Sequence, residues 1–527
     1  QAELPSGYRL PGHERLWSRG VTFENHQIGS CVCTPSRAVL YTGQHIQNNG
    51  MFDNTNFPWS GSMSTEIDTI GDQLRRQGYY TAYKGKWHLT EEFTTKNSLH
   101  NPRKLLTEEM EAYGFSDYMG IGDGICKTEG GYLHDDVISS MGRSWLRGKG
   151  QQLAQEGKPW FLAVNLVNPH DVMFYNTDAP GQNVQSARSM FRINHEPGYE
   201  LYRQQWNPAP PATWKQSVDA KGRPAAHRDF RDSNAVMLGA IPSEQERWRR
   251  LNNYYLNCIQ DVDRHINDLL LELERLGIEN NTIVIFTSDH GELSGAHGMV
   301  GKGATAYREQ NHVPLVMVHP EHQGNQRCKA VTSHVDIAAT LLGISGATSG
   351  ELDKLPGHDM SPLLTAPGAA ETDSLRVGAL YNFTMFGFID SSFMQNIGDF
   401  LAAGGTPTEM QKQGFKPDLE KRGAIRTVYD GRYKFSRYFS PLQHNVPNTM
   451  EELLAANDLE LFDLKTDPAE TNNLAVSVKD HSELILAMNE KLNGLIRDEV
   501  GEDVGQMLPD VEGISWTSGS SIDDYRP

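Results

Sequence analysis

Between residues 65 and 345, short apolar runs alternate with helical repeats, and this alternation restricts the fold more than any other feature of the chain. Strands separated by helices build an α/β sheet with helices on both faces. Ile67, Ile70 and Leu74 fall at helical spacing and Gly78 ends that helix. Tyr80 to Tyr83 reads as a strand, and Phe161 to Val167 as another. After Pro242, Ser243 and Glu246 form a capping-box pattern. The helix it opens carries Leu251, Tyr255, Val262, Ile266 and Leu270 on one face and stops near Gly277. A strand, Ile283 to Phe286, follows. Each of the three strands feeds a polar motif: Lys84-Gly85-Lys86-Trp87-His88, Asn168-Pro169-His170 and Ser288-Asp289-His290-Gly291-Glu292. Open α/β sheets bind ligands beyond the carboxyl ends of their strands, so the motifs are expected to converge there.

Residues 171–242 break the pattern. They are polar and proline-rich, with Trp206, Trp214 and Pro208-Ala209-Pro210-Pro211, and are expected to form a loop walling the substrate pocket rather than a linker. From about 376 to 465 the chain reads as short strands, Ile425 to Tyr429 and Arg432 to Phe439, with a turn at Asp430-Gly431. The expected architecture is therefore a large mixed sheet sandwiched by helices (residues 1–375), a smaller C-terminal antiparallel subdomain (376–500) and an acidic, polar tail (501–527).

The chain has 527 residues and a formal net charge of −19. Nucleic-acid binders are more often basic, so a nucleic-acid partner is not expected. No apolar run reaches the ~18 to 20 residues that span a bilayer, and no signal peptide is visible, which leaves cytoplasm and periplasm open. An acidic protein can still hold an anion if its cations are gathered locally. Five cysteines, Cys31, Cys33, Cys126, Cys258 and Cys328, are too few and too irregular for a disulfide scaffold or a zinc site, and suit buried thiols.

Cys33 stands apart. Cys33-Thr34-Pro35-Ser36-Arg37, continued by Thr42-Gly43, fits C-x-P-S-R-x-x-x-x-T-G at every fixed position. Gly85-Lys86-Trp87-His88-Leu89 fits G-K-W-H-L-G except for Thr90 in place of the last glycine. Asn168-Pro169-His170 fits x-P-H-x-P without its second proline. Ser288-Asp289-His290-Gly291 fits S-D-H/N-G. Each has a plainer reading alone: a proline turn, a packed histidine at a strand end, a Ser-Asp-Gly turn. Together they resemble the type I sulfatases of the alkaline-phosphatase superfamily. The resemblance continues through Lys302, Tyr307, Glu309 and Val313-Pro314-Leu315. It includes His334 to Leu342, with Ala339 replacing a proline. It ends at Leu461-Phe462-Asp463-Leu464 with Asp467-Pro468-Ala469-Glu470 and Asn473-Leu474.

The resemblance implies that a formylglycine-generating enzyme oxidises Cys33 to an aldehyde. Its hydrate would attack sulfur through one hydroxyl and release sulfate through the other, a nucleophilic mechanism that serine cannot complete in the same way. By the same resemblance Arg37 holds the nucleophile and the metal-bound oxygens, Lys86 contacts sulfate, and His88 drives sulfate elimination as a base. His170 contacts sulfate and helps protonate the leaving oxygen, and Lys302 binds sulfate and that oxygen. Asp289, His290 and the modified Cys33 would hold one divalent cation, Ca²⁺ first, with Mn²⁺ or Mg²⁺ as alternatives. Asn54 lies at about the offset where the phosphonate monoester hydrolase branch contacts the substrate anion.

The family pattern also opens with a strand ending in Asp-Asp, or Asp followed by Gln or Glu. Nothing before Arg19 resembles it. The expectation is that this strand lies outside residues 1–527. Sulfate ester hydrolysis is favoured by Lys86 and His88. Phosphonate or phosphodiester hydrolysis is favoured by His290, Asn54 and the Lys302 spacing, and a non-catalytic protein binding sulfated ligands only by the absent acidic pair. The substrate is expected to be a sulfated small molecule or carbohydrate. Its identity would be set by residues 171–242 and by the aromatic stretch Tyr381, Phe383, Phe386, Phe388 and Phe393, which could equally serve a subunit interface in a homo-oligomer.

Overall fold

The computed structural model describes residues 4–55, 57, 59–93, 108–119, 128–406, 409, 413–503 and 505. Helix α1 (Pro11–Arg19) runs into strand β1 (Val21–Gln27). Strand β1 pairs antiparallel with β5 (Leu315–Val318) and parallel with β6 (Gln326–Ser333), and β4 (Val284–Thr287) extends the sheet antiparallel to β5. The order is β4-β5-β1-β6. Strands β2 (Tyr80–Gly85) and β3 (Trp160–Asn165) form a separate parallel pair, joined through the crossover helix α4 (Gly130–Trp145). Helix α3 (Ile70–Arg76) precedes β2 and is capped by Thr69, whose hydroxyl accepts from Gly71 and Asp72.

Strands β3 and β4 share the same support. Leu162, Leu166, Val284 and Phe286 all pack on the face of helix α6 (Gln245–Arg275) that carries Val262, Ile266, Leu270 and Leu273. Yet among the described residues no backbone bridge joins β3 to β4. All four residues of β4 and five of the six of β3 are half-buried, whereas all four of β5 are buried. The apolar strands β3 and β4 thus each have, among the described residues, one edge without a strand partner.

The second sheet is antiparallel in the order β10-β9-β8-β7: β7 (Ala379–Phe383), β8 (Ala424–Tyr429), β9 (Tyr433–Phe439) and β10 (Asn457–Asp463). Helix α7 (Val478–Glu499) covers one face, with Ile485, Met488 and Leu492 against Leu380, Val428, Phe435 and Leu461. The other face packs Phe383, Ile425, Tyr438 and Phe462 into the same cluster as Ile28, Val32 and Phe174. A division near 375 therefore runs through a continuous core.

Three details depart from the sequence reading. The Ser243–Glu246 capping box does not form. Helix α6 starts at Gln245 with Glu244 as a cap that makes no side-chain bond, and Glu244 pairs with Arg247 instead. Residues 171–242 are not only loop, for helix α5 (Ala226–Leu238) lies within them. The aromatic stretch is not surface: Tyr381, Phe383, Phe386, Phe388 and Phe393 are all buried in the shared core, so they form neither a subunit interface nor a specificity surface. Cys31, Cys33, Cys258 and Cys328 are buried free thiols, as expected, while Cys126 and nearly all of the 501–527 tail lie outside the described residues. No helix among the described residues is long and apolar enough to cross a membrane.

Several buried histidines are held neutral. Burial, with Arg223 and His297 adding to it, lowers His227 well below its ordinary value. Arg223 Nε donates to its Nδ1 at 3.2 Å, while its Nε2 meets the Tyr438 hydroxyl at 3.1 Å. Burial likewise lowers His26, and brings His312 down to about 4. Such groups take up protons on unfolding once the pH drops below the unfolded value near 6.5, so stability falls with acidification from there toward about 4 and is unaffected above. His312 alone should contribute on the order of 3 kcal/mol at the bottom of that window. Urea midpoints measured from pH 7.5 to 4.5 are expected to fall steeply below 6.5; a flat profile would exclude this.

Candidate active site

The first motif forms the start of helix α2 (Cys33–Thr42), every residue of which is buried. Val32 precedes the helix and provides no side-chain cap. The Thr34 N–H is instead satisfied from outside, donating to Asn54 Oδ1 at 2.9 Å. That fixes Asn54 beside Cys33 and leaves its Nδ2 as the group able to meet an anion. Asp53 holds the same turn. Its buried carboxylate accepts from the Asn54 and Phe386 N–H groups and from Trp59 Nε1, and burial pushes it up to about 7. In sequence Asp53 suits an ordinary turn, but its 0% exposure shows a buried structural role.

Arg37 ties three motifs together. Its Nε donates to the Trp87 carbonyl at 2.8 Å, and Nη2 donates to the Lys86 carbonyl, the Tyr83 hydroxyl and Asn165 Oδ1. Its Nη1 lies 3.7 Å from Asp289 Oδ2. The guanidinium thus anchors the second motif by its backbone and faces the third by charge. Lys86 and His88 follow the end of β2, both buried. The preceding Gly85 has φ +90°, and a Cβ there would lie 2.1 Å from the Asn165 carbonyl oxygen, so the approach of β2 to β3 needs glycine. The His88 carbonyl accepts from Thr34 Oγ1 at 2.7 Å, stitching this motif to α2.

Asp289 and His290 lie just past β4. A Cβ on Gly291 would sit 2.0 Å from the Glu309 carbonyl oxygen, which accounts for the glycine of that motif. His290 Nδ1 meets the Gly291 carbonyl at 2.8 Å, a contact that places a proton on Nδ1 and turns Nε2 into the site. Nε2 is 3.1 Å from Cys33 Sγ and 3.8 Å from Asp289 Oδ1. Donor atoms of Cys33, Asp289 and His290 all lie within 4.8 Å of one another. An oxygen, an imidazole nitrogen and the position-33 group around one point fit a divalent cation. His334 supports them, its Nε2 meeting the Ser288 carbonyl at 3.1 Å and its Nδ1 meeting Ser36 Oγ at 3.3 Å.

The electrostatics follow from this convergence. Burial alone would raise the Cys33 thiol, but Lys86, His290 and His170 outweigh it and hold the thiol well below its ordinary range. His170 goes the other way: burial, then Lys86 and Lys302, lower it to about 3, despite its contact with Cys33. His170 is therefore a neutral ring that can share an N–H or a lone pair. Lys302 is buried, with Nζ 3.2 Å from Met173 Sδ. Met173 opens the 171–242 segment, which also lines a cleft with Gln185, Leu238 and Gly239 opposite Glu292 and Gly301. Cys33, Arg37, Asn54, Lys86, His170, Asp289, His290 and Lys302 are thus drawn to one place. The local cations required of an acidic chain are gathered there.

A mixed α/β sheet with a separate antiparallel sheet, and a cation-lined cysteine beside an Asp–His pair, define the sulfatase class within the alkaline-phosphatase-like fold. The Sulfatase family profile matches residues 6–347, and the chain belongs to that family. Among its relatives, arylsulfatase K of Danio rerio is 25% identical over 359 residues, 68% of this chain and 63% of that protein. The chain thus spans less than two thirds of that relative's length. N-acetylglucosamine-6-O-sulfatase of Bacteroides thetaiotaomicron is 23% identical over 522 residues, covering 92% of this chain and 81% of that protein. In fold, a 2-O GAG sulfatase superposes with a TM-score of 0.65 at 18% identity, covering 94% and 88% of the two chains. The phosphonate monoester hydrolase of Agrobacterium radiobacter superposes with a TM-score of 0.60 at 19% identity, covering 94% and 92%.

Proposed function

We propose that this chain hydrolyses sulfate monoesters to alcohol and sulfate, with Cys33 as the precursor of its nucleophile. The observation that carries the reading is the placement of Cys33 Sγ among His290, Lys86 and His170, with Asp289 adjacent. Formylglycine at this position would supply a geminal diol as nucleophile, and a divalent ion held by Asp289 and His290 would supply Lewis-acid charge. The chain's own residues do the rest. Lys86, Lys302 and Asn54 Nδ2 surround the sulfuryl oxygens and stabilise the charge that develops on them. Arg37 fixes the second motif so that Lys86 stays aimed inward. With His170 neutral, Lys302 is the charged group able to donate a proton or hydrogen bond to the leaving oxygen, and His170 orients the anion.

Three protein donors do not complete the coordination of a hard divalent cation, which takes six or more ligands. Water and substrate oxygens would supply the remainder.

The substrate class rests on likeness: the Bacteroides relative is named for N-acetylglucosamine-6-O-sulfate, and another solved relative holds D-glucosamine-2-N,6-O-disulfate as its substrate. A sulfated sugar is the favoured substrate. Sulfate release should be screened over sulfated sugars and small alkyl and aryl sulfates, beside an aryl phosphonate. Faster turnover of the phosphonate would favour the other reading, which the phosphonate hydrolase fold likeness keeps open. Lys302→Ala is expected to cost about 10²-fold in kcat/KM on alkyl or sugar sulfates. The loss should be clearly smaller on aryl sulfates, whose leaving groups need less help; an equal loss on both would exclude Lys302 from the leaving-group role.

A further inference from the structure

Two sequence motifs with no part in the chemistry above, Tyr307 with Glu309 and the Asp467-Pro468-Ala469-Glu470 stretch, meet in space. The Arg308 N–H donates to Glu470 Oε2 at 2.8 Å, across 162 residues of chain. Glu470 Oε1 accepts from Lys434 Nζ at 2.7 Å, and Lys434 also donates to the Ala306 carbonyl at 2.9 Å. Next to them the Tyr307 hydroxyl donates to Glu460 Oε1 at 3.0 Å, and Tyr438 donates to the other oxygen of Glu460 at 2.7 Å. Lys434, Tyr438 and Glu460 belong to β9 and β10 of the C-terminal sheet, and Glu470 lies just beyond β10. All four are buried. Residues 306–308, which these groups hold, begin four positions after Lys302.

The segment they hold also carries the Lys302 loop. Gly303 N–H donates to Gln310 Oε1 at 2.7 Å, and the Gly291 and Glu292 N–H groups donate to the carbonyls of Gln310 and Glu309. Glu292 Oε1 accepts from the Gly301 and Ser294 N–H groups and closes the loop from within. At the loop's tip, His297 is fully buried and stacks on Tyr307 at 3.6 Å. Its Nδ1 meets Gln216 Oε1 at 2.8 Å, and its Nε2 lies 3.6 Å from Glu309 Oε2. Both ends of the loop, and its tip, therefore bear on residues 306–310.

We infer that Glu470 and Lys434 are positioning residues for Lys302: the C-terminal sheet sets where the leaving-group lysine stands. The inference rests on the role of Lys302 proposed above, although the link itself is structural. A buried carboxylate with both oxygens engaged is rigid, and a site held a fraction of an ångström out of place loses rate without losing its parts. The C-terminal subdomain then acts at the site without contributing a group that touches substrate.

The test is Glu470→Gln, which keeps an acceptor for the Arg308 N–H but removes the charge that holds Lys434. Labelling of each lysine by a small amine-acylating reagent, read by peptide mass spectrometry, needs no turnover. Lys302 should label several-fold faster in the variant, with exposed Lys158 unchanged as the reference. In kinetics, kcat on alkyl sulfates should fall about 10-fold, with aryl sulfates affected less and the double variant with Lys302→Ala no worse than Lys302→Ala alone. If Glu470→Gln does not fold, Tyr307→Phe, which removes only the Glu460 hydrogen bond, should show the same pattern at smaller size. Unchanged Lys302 labelling, or equal losses on alkyl and aryl sulfates, would overturn the inference. So would a second bound divalent ion lost in Glu470→Gln, since donors of His297, Glu309 and Glu470 lie within 4.8 Å of one another. Were no sulfate ester turned over by the unmodified protein, the functional reading would fail, while the labelling result would still decide the structural link.

Discussion

Cys33→Ala is expected to lower kcat/KM on an aryl sulfate by about 10⁴-fold or more, to the background that the remaining charges can sustain. The size of the effect follows from position. Cys33 opens helix α2 with its sulfur 3.1 Å from His290 Nε2, and burial there is outweighed by Lys86, His290 and His170, which stabilise negative charge at that atom. Removing one sulfur atom leaves those groups in place, so stability should change by less than about 2 kcal/mol. The comparison of turnover with urea midpoint separates lost chemistry from lost structure. Peptide mass spectrometry of protein from its native host adds an independent check: position 33 should carry an aldehyde or its hydrate instead of a thiol. Full activity in Cys33→Ala would end the proposed mechanism.

Arg37→Leu should be the most damaging single change for the fold of the site. The side chain is 4% exposed and donates to two carbonyls, a hydroxyl and an amide oxygen while facing Asp289 at 3.7 Å. Leucine fills part of the volume but leaves those acceptors without their donor and Asp289 without a counter-charge. Breaking a buried pair by removing one partner costs about 3–5 kcal/mol. A fall of that size in unfolding free energy is expected, together with loss of sulfate release. Arg37→Lys should recover charge but not the fork that reaches Trp87, Lys86 and Asn165 together, and so should recover only part of the stability. A variant of ordinary stability would show that these bonds are replaced by water.

The strands and the motifs at their ends were legible because both are local signals. Tyr80 to Tyr83 and Ile283 to Phe286 carry strand composition in their own residues, and the groups after them must point where the strands end. What escaped depends on partners distant in sequence. Asp53 looks like a turn former until Trp59 and Phe386 close over it. The Ser243–Glu246 pattern is a sound local cap that lost to Glu244, held by Arg247, whose guanidinium Asp178 fixes from far along the chain. The aromatic run from Tyr381 to Phe393 could have been surface or core, and only the packing of β7 and its following turn onto Ile28 and Phe174 decides it. Glu470 belongs to a motif whose sequence gives no hint that its carboxylate caps Arg308 across the molecule.

The half-buried strands β3 and β4 have a consequence for handling the protein. Among the described residues each has one edge without a strand partner, and Trp160, Phe161, Leu162, Val284 and Phe286 are only half-buried. Natural sheets blunt such edges with charge, proline or a covering element, and these two runs contain no charged residue and no proline. Unpaired apolar runs of this kind are a template on which another extended polypeptide can add itself.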